Sequence, residues 1–398
     1  MPKAVAAIVT EYRRHSHADV IVGKILEGYR HDGGPGPDLR VVSMYVDQTP
    51  ANDQSRELAR RHGFRLCPTI AEALTLGGDT LAVDGVLSIG EHGRYPTNER
   101  GQILYPRRRF FEQICQVFER TRRSVPVFND KHLAARFEDA RWMVERARAL
   151  HVPLLAGSSI PLTWRRPELT LRRGCDLTAA VQIGYGPLEG YGYHALEALQ
   201  AMVERRRGGE TGVRRVRFLS GPAMWQAMDQ GEFDRALLEA AMCCVPAHAR
   251  GDYRAPTERA ADAAVFVIEY RDGLRAAVAM LNGWAYEGDG GAFCFAGRLA
   301  GLPDPVCTQF YQQLTDPFGH FIYLVRAIDS LIQTGQPGYP VERTLLVTGI
   351  LDALFTSRAN QGQWQATPEL AIRYTPTDWP HATDPLPEPI RRPEPIRR

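Results

Sequence analysis

The feature that most constrains this chain is the alternation of short apolar runs with helical stretches across its first 155 residues. Residues 4–10 are a brief run of Ala, Val and Ile, the composition of a strand buried on both faces. A helical stretch over 16–29 follows, then a Gly/Pro loop over 32–38, then a strand over 40–46 that ends at Asp47. Helices are expected at 53–62, stopping at Gly63, and at 69–76. A strand over 81–89, a long helix over 105–122, a strand over 125–128, a helix over 133–150 and a strand over 153–156 continue the series. Strand and helix in rotation predict a parallel sheet covered by helices on both faces.

Beyond residue 157 the rhythm changes. Strands at 179–184 and 215–220 flank a helix over 194–205, and 263–270 with 274–281 reads as a hairpin around Arg271-Asp272-Gly273. A further strand is expected near 292–296 and helices near 320–333 and 342–358. Strands in succession predict a mostly antiparallel open sheet, so the whole is an α/β unit followed by an α+β unit. The stretch from Pro376 holds seven prolines and ends in a tandem Pro-Glu-Pro-Ile-Arg-Arg repeat. Proline at that density removes backbone donors and blocks helix and central strand, so 376–398 reads as an extended arm or a disordered end.

Composition excludes several classes. An apolar fraction of 44% in 398 residues supports a sizeable core. Lys plus Arg is 48 and Asp plus Glu is 46, which gives no electrostatic case for nucleic acid or a membrane surface. No apolar run approaches the length of a membrane-spanning helix. Seven cysteines, an odd number without a C-x-x-C pair, read as free thiols in a reducing compartment. The apolar run near the N-terminus is too short for a signal peptide and meets Glu11 and Arg13 at once, so a cytoplasmic location is expected. His15 with His17 and Glu91 with His92 are local pairs, but no H-E-x-x-H pattern is present and no metal is expected.

A strand, a helix, a strand ending in an acid, and later a strand running into Asn129-Asp130-Lys131-His132-Leu133-Ala134 together resemble the Gfo/Idh/MocA group of glucose–fructose oxidoreductase, inositol dehydrogenase and rhizopine catabolism proteins. That group carries Glu-Lys-Pro-Leu-Ala where this chain has Asp130-Lys131-His132-Leu133-Ala134. Its His-x-x-Asp corresponds to His194-Ala-Leu-Glu197, and its C-terminal pattern to Gly338-Tyr-Pro-Val-Glu-Arg-Thr344, a helix, and Ser357. The resemblance spans about residues 3–375. It implies a Rossmann-like dinucleotide-binding domain over 1–157 and an α+β domain over 158–375 that walls the substrate site. It also implies a homo-oligomer, a dimer or tetramer. The activity implied is hydride transfer between NAD or NADP and a secondary alcohol of a sugar, cyclitol or related polyol.

The resemblance gives two residues catalytic parts. Lys131, at the carboxyl edge of the sheet, would polarise a hydroxyl and stabilise an alkoxide. His194 would be the general base. The acid that commonly stands four residues before that histidine is Gly190 here, so Glu189, Tyr191 or Tyr193 must serve instead. Asp47 would accept hydrogen bonds from an adenosine ribose, which favours NAD. The G-x-G-x-x-G positions fall on Val9, Glu11 and Arg14, none of them glycine. A phosphate would therefore be met by side chains from Thr10 and Arg13 to His17, or the nucleotide site is degenerate. Glu91 would face the cofactor, and His92, Tyr95, Tyr191 and Tyr193 the substrate. Two other readings stay open. One is non-redox acid–base chemistry (lyase, epimerase or hydrolase) on the same scaffold; the other is a non-catalytic binding protein.

Overall fold

Val5 to Val9 of the first strand, β1 (Lys3–Val9), have no exposure to water in the computed structural model, which describes residues 1–245, 251–285, 288 and 290–392. Burial on both faces is the condition of a central parallel strand, and each fully buried Val or Ile contributes roughly 1.5–3 kcal/mol. β1 pairs in parallel with β2 (Leu39–Val46) on one side. The six-stranded sheet also holds β3 (Arg65–Cys67), β4 (Gly85–Ile89), β5 (Val127–Asp130) and β6 (Leu154–Gly157), in the order β3-β2-β1-β4-β5-β6. The helices between the strands are α1 (His17–Leu26), α2 (Ser55–His62), α3 (Ile70–Thr75), α4 (Arg107–Thr121) and α5 (Phe137–Ala149). Their ends follow local chemistry. Ser16 caps α1 by accepting from the Asp19 amide, and Gly63 ends α2 at φ 73°. The strand order reverses between β1 and β4, which opens a crevice at their carboxyl ends.

The helix expected from residue 133 begins only at Phe137. Residues 131–136 stay irregular because helix α11 (Val341–Ala359) supplies their amide partners: Leu133 N donates to Thr348 Oγ1 at 3.3 Å and Phe137 N to Asp352 Oδ2 at 2.9 Å.

The second sheet is eight-stranded and mostly antiparallel. Its strands are β7 (Trp164–Arg166), β8 (Leu177–Gly184), β9 (Val213–Leu219), β10 (Ala264–Tyr270), β11 (Arg275–Met280), β12 (Cys294–Leu299), β13 (Val306–Tyr311) and β14 (Gln365–Ala366). Helix α6 (Gly190–Val203) packs on β8, and so does α8 (Arg235–Cys243), which also covers β12 and β13. The short α7 (Pro222–Asp229), α8 and α9 (Arg254–Arg259) form a segment the apolar pattern did not announce. α10 (His320–Thr334) returns to the first unit and packs on α1. α11, buried on nearly all sides, touches α5, α6 and β9 and so ties the two sheets together. No helix among the described residues is long and apolar enough to cross a membrane.

The proline-rich end is an extended strap laid along its own chain as far as residue 392. Ala382 N donates to Leu162 O at 2.9 Å, Trp164 Nε1 to Asp384 O at 2.6 Å, and Ile390 N to Asp316 O at 3.1 Å. Arg392 closes the strap on Asp19 at 2.6 Å and Asp316 at 2.9 Å. The second copy of the repeat, 393–398, lies outside the described residues.

Candidate active site

Three strand ends meet at the crevice. β1 runs into Thr10, whose hydroxyl donates to Glu91 O at 2.5 Å and so fixes the loop after β4. β5 runs into Lys131, held at φ 61° with its amide on Gly157 O at 3.0 Å. A left-handed lysine is strained by about 1–2 kcal/mol, and the pose aims the amine across the strand ends at Glu91. Lys131 Nζ donates to Glu91 Oε1 at 2.8 Å, and Arg107 Nη2 donates to Glu91 Oε2 at 2.5 Å. Arg107 Nη1 donates to His132 Nε2 at 3.0 Å. Burial raises the Glu91 pKa, but the Lys131 and Arg107 charges more than reverse this and hold it well below the ordinary value. Two cations around one carboxylate leave a net positive charge in a buried site, which suits an oxyanion.

His194 stands in the first turns of α6. Its Nδ1 is 3.0 Å from Ser158 Oγ, and Ser158 Oγ donates to Glu197 Oε2 at 2.5 Å. The Ser158 amide also reaches both Glu197 oxygens, at 3.0 and 3.1 Å. Gly157 makes this approach possible, since a Cβ there would collide with Glu197 Oε1. Burial pushes the Glu197 carboxyl up to about 7. Burial, the Lys131 charge and then His17 hold His194 well below its ordinary value, so its imidazole is neutral. Gly190 lies one helical turn before His194 on the same face. A Cβ at Gly190 would sit 3.7 Å from Lys131 Nζ. The amine therefore occupies the space beside this turn, and its charge reaches the imidazole.

The other expected residues divide. Glu91 is a partner of Lys131, as above. His92 accepts from Arg13 Nη2 through Nδ1 at 3.3 Å, and its buried Nε2 has no partner. Burial, and His17 beside it, bring the His92 pKa down to about 3. Tyr191 lies with its ring 5.8 Å from that of His194. Tyr193 does not reach the pocket as a hydroxyl partner of His194. It is fully buried, its ring 5.2 Å from His132, and its hydroxyl group lies toward Glu197. Glu189 also serves elsewhere, accepting from the Ile103 amide at 2.7 Å. Tyr95 is turned away from the pocket and donates to Asp47 Oδ2 at 2.8 Å. The apolar pattern and motifs did not reveal Ser158 as the companion of His194, Arg107 as the second cation on Glu91, or Asp130 as the partner of His17 at 2.6 Å. Only the three-residue spacing of His194 and Glu197 hinted at the first.

A dinucleotide would meet an altered surface here. Asp47 already accepts from Tyr45 at 2.6 Å, from Tyr95, and from Arg109 on both oxygens at 2.8 Å. The backbone amides of the loop before α1 turn inward: Arg13 N to Ser16 Oγ and His15 N to Asp19 Oδ2. They are not available as the cradle that glycines provide. Arg13, paired to Glu11 at 2.6 Å, lies between β1 and β4 with His17 and the unpartnered Nε2 of His92. That donor set suits a phosphate held by side chains, with Asp47 reaching a ribose only after releasing Tyr95 or Arg109. Among the described residues no group of His, Cys, Asp or Glu is arranged to hold a metal ion.

No protein-family model matches the chain, and no curated protein does. Solved structures do. GenD2 from gentamicin A biosynthesis, in complex with NAD, aligns with a TM-score of 0.57 at 15% identity, covering 91% of this chain and 95% of that one. The scyllo-inositol dehydrogenase from Lactobacillus casei, with bound cofactor NAD(H) and scyllo-inositol, gives 0.55 at 10% identity, with 91% and 98% covered. The WlbA dehydrogenase from Bordetella pertussis, in complex with NADH and UDP-GlcNAcA, gives 0.53 at 14% identity, with 92% and 99% covered. Identities this low establish likeness of fold, and the fold of this chain is that of the Gfo/Idh/MocA dehydrogenases.

Proposed function

We propose that the chain is an oxidoreductase acting on a secondary alcohol of a sugar, cyclitol or related polyol, with NAD or NADP as hydride acceptor. The observation that supports this reading is that the Lys131 amine, at the carboxyl end of β5, stands beside the turn of α6 that carries His194 and lends its charge to that imidazole. The dehydrogenase fold supports it.

The substrate hydroxyl lies between the two side chains. Neutral His194 accepts its proton through Nε2, because Nδ1 is engaged with Ser158. With Glu197 ionised, Ser158 donates to Glu197 and accepts from Nδ1–H, which leaves the Nε2 lone pair outward. As His194 takes the substrate proton, Nδ1–H passes to Ser158 and the Ser158 proton to Glu197. Lys131 stabilises the alkoxide, with Glu91 and Arg107 fixing its position. NAD or NADP, when bound, supplies the hydride acceptor. Arg13, His17 and His92 would hold its phosphates.

Nicotinamide fluorescence during titration with NADH and NADPH tests this reading. Binding in the millimolar range or tighter, followed by polyol-dependent reduction of the oxidised form, is expected. Absence of nucleotide binding would remove it.

A second reading is favoured by the engagement of Asp47 and the bulk of Glu11 and Arg13: the same groups doing acid–base chemistry with no nicotinamide. It predicts exchange of a substrate carbon-bound proton with deuterium from solvent while no nucleotide binds.

A further inference from the structure

The loop between β1 and α1 divides its side chains between two sides of the molecule. Arg13 and His17 turn to the crevice. Arg13 Nη2 lies 3.3 Å from His92 Nδ1, and His17 Nδ1 lies 2.6 Å from Asp130 Oδ2 at the end of β5. Arg14 and His15 turn to the strap. Arg14 Nη2 donates to Asp316 Oδ2 at 3.2 Å and to the Arg392 carbonyl at 3.0 Å, and His15 Nε2 lies 3.2 Å from Asp316 Oδ2.

The split turns on His15, which stands at φ 61°. A residue other than glycine persists in the left-handed region only where its surroundings hold it there. The His15 amide donates to Asp19 Oδ2 at 2.8 Å. That same oxygen accepts from Arg392 Nη2 at 2.6 Å, and Asp19 Oδ1 accepts from Arg392 Nη1 at 3.0 Å. Arg392 Nε donates to Asp316 Oδ1 at 3.0 Å. One side chain at the end of the strap thus bridges the first turn of α1 to the carboxylate that holds Arg14 and His15. Its grip on the buried Asp19 is bidentate, which fixes orientation as well as charge. The strap carries it there through Ile390 N, which donates to Asp316 O at 3.1 Å, and Pro387 O, which accepts from Gln313 Nε2 at 2.6 Å.

We propose that Arg392 is a positioning residue for the nucleotide: by holding Asp19 it keeps His15 in its left-handed pose and so aims Arg13 and His17 at the phosphates. The proposal rests on the nucleotide reading given above. Arg392 acts through the loop and not on the nucleotide itself.

The test is fluorescence titration of the full chain with NADH, in buffer where circular dichroism shows each protein folded. Arg392→Ala should weaken NADH binding roughly tenfold, the loss of one charged hydrogen bond to phosphate. Arg392→Lys should recover part of this, since an ammonium still pairs with Asp19. A residue that only fastens the strap would lower the urea midpoint and leave the affinity of the folded chain alone; that result overturns the proposal. If Arg392→Ala does not fold, Ile390→Pro decides the matter. It keeps every charge, removes the amide bond to Asp316 O and should weaken NADH binding in the same direction; unchanged affinity overturns the proposal. A wild-type chain that binds no NADH removes the nucleotide reading and this role with it. A wild-type chain that binds, with folded variants that bind equally well, removes this role alone.

Discussion

The amine of Lys131 lies beside the turn of α6 that begins at Gly190 and ends at His194, 3.7 Å from where a Cβ of residue 190 would stand. The juxtaposition has an electrostatic signature. The lysine charge, added to burial, holds the imidazole neutral, and neutral imidazole is the form that accepts a proton. The companions of the imidazole are Ser158, just after β6, and Glu197, one turn further along α6.

Lys131→Met should reduce kcat/KM for the polyol by about 10²–10³-fold, the loss typical of one oxyanion donor. The fold should survive, because Arg107 still neutralises Glu91. Steady-state kinetics with far-ultraviolet circular dichroism checks both parts. Unchanged kinetics would remove the lysine from the mechanism.

Glu197 should make stability depend on pH. Its carboxyl has a folded pKa of about 7 against an ordinary value of 4.5. The folded state therefore binds the proton more tightly than the unfolded state does. The stabilising protonated form is fully present below 4.5 and is lost as pH rises through 7. At about 1.4 kcal/mol per unit, the loss is roughly 3 kcal/mol. Urea unfolding between pH 4.5 and 8 should show this slope in the wild-type chain and a flatter one in Glu197→Gln. Equal slopes would mean that the carboxylate is already ionised at pH 5.

Tyr95→Phe should tighten NADH binding. The substitution removes one of the donors that occupy Asp47 and returns an acceptor to a ribose hydroxyl. One hydrogen bond of about 1 kcal/mol corresponds to roughly fivefold in affinity. Fluorescence titration of the two proteins reads the ratio, and a ratio at or below one would show that a ribose does not use Asp47.

Arg392→Ala should destabilise the chain. The guanidinium is nearly buried between Asp19 and Asp316, and its loss takes from the buried Asp19 its cation, while Asp316 keeps Arg14 at 3.2 Å. Breaking one partner of such a group costs about 3 kcal/mol. A drop in the urea midpoint is expected, and a variant as stable as the parent would show that the strap does not dock through this residue in solution.

Much of this arrangement was legible in the residues. The strand–helix rotation gave the parallel sheet, and with the resemblance it placed Lys131 and Glu91 after strands at its carboxyl edge; the strand order came only with the structure. Local motifs reach no further than their own element. Ser158 and Glu197 are 39 residues apart and meet only because β6 ends against α6. Asp47 reads as a free ribose ligand from its place at a strand end; that Tyr45, Tyr95 and Arg109 converge on it from a strand, a loop and a helix is beyond any local motif. The strap looked unanchored since proline density describes the backbone and not Arg392, whose carboxylate partners sit on α1 and before α10.

The most direct test is nitrogen-15 resonance of the imidazole of His194, titrated in the wild-type chain and in Lys131→Met. If the two groups share a pocket, removing the lysine charge raises the histidine pKa toward its ordinary value, by an amount visible as a displaced titration midpoint. Superimposable titration curves would contradict it, because a charge that does not perturb the ring is not beside it.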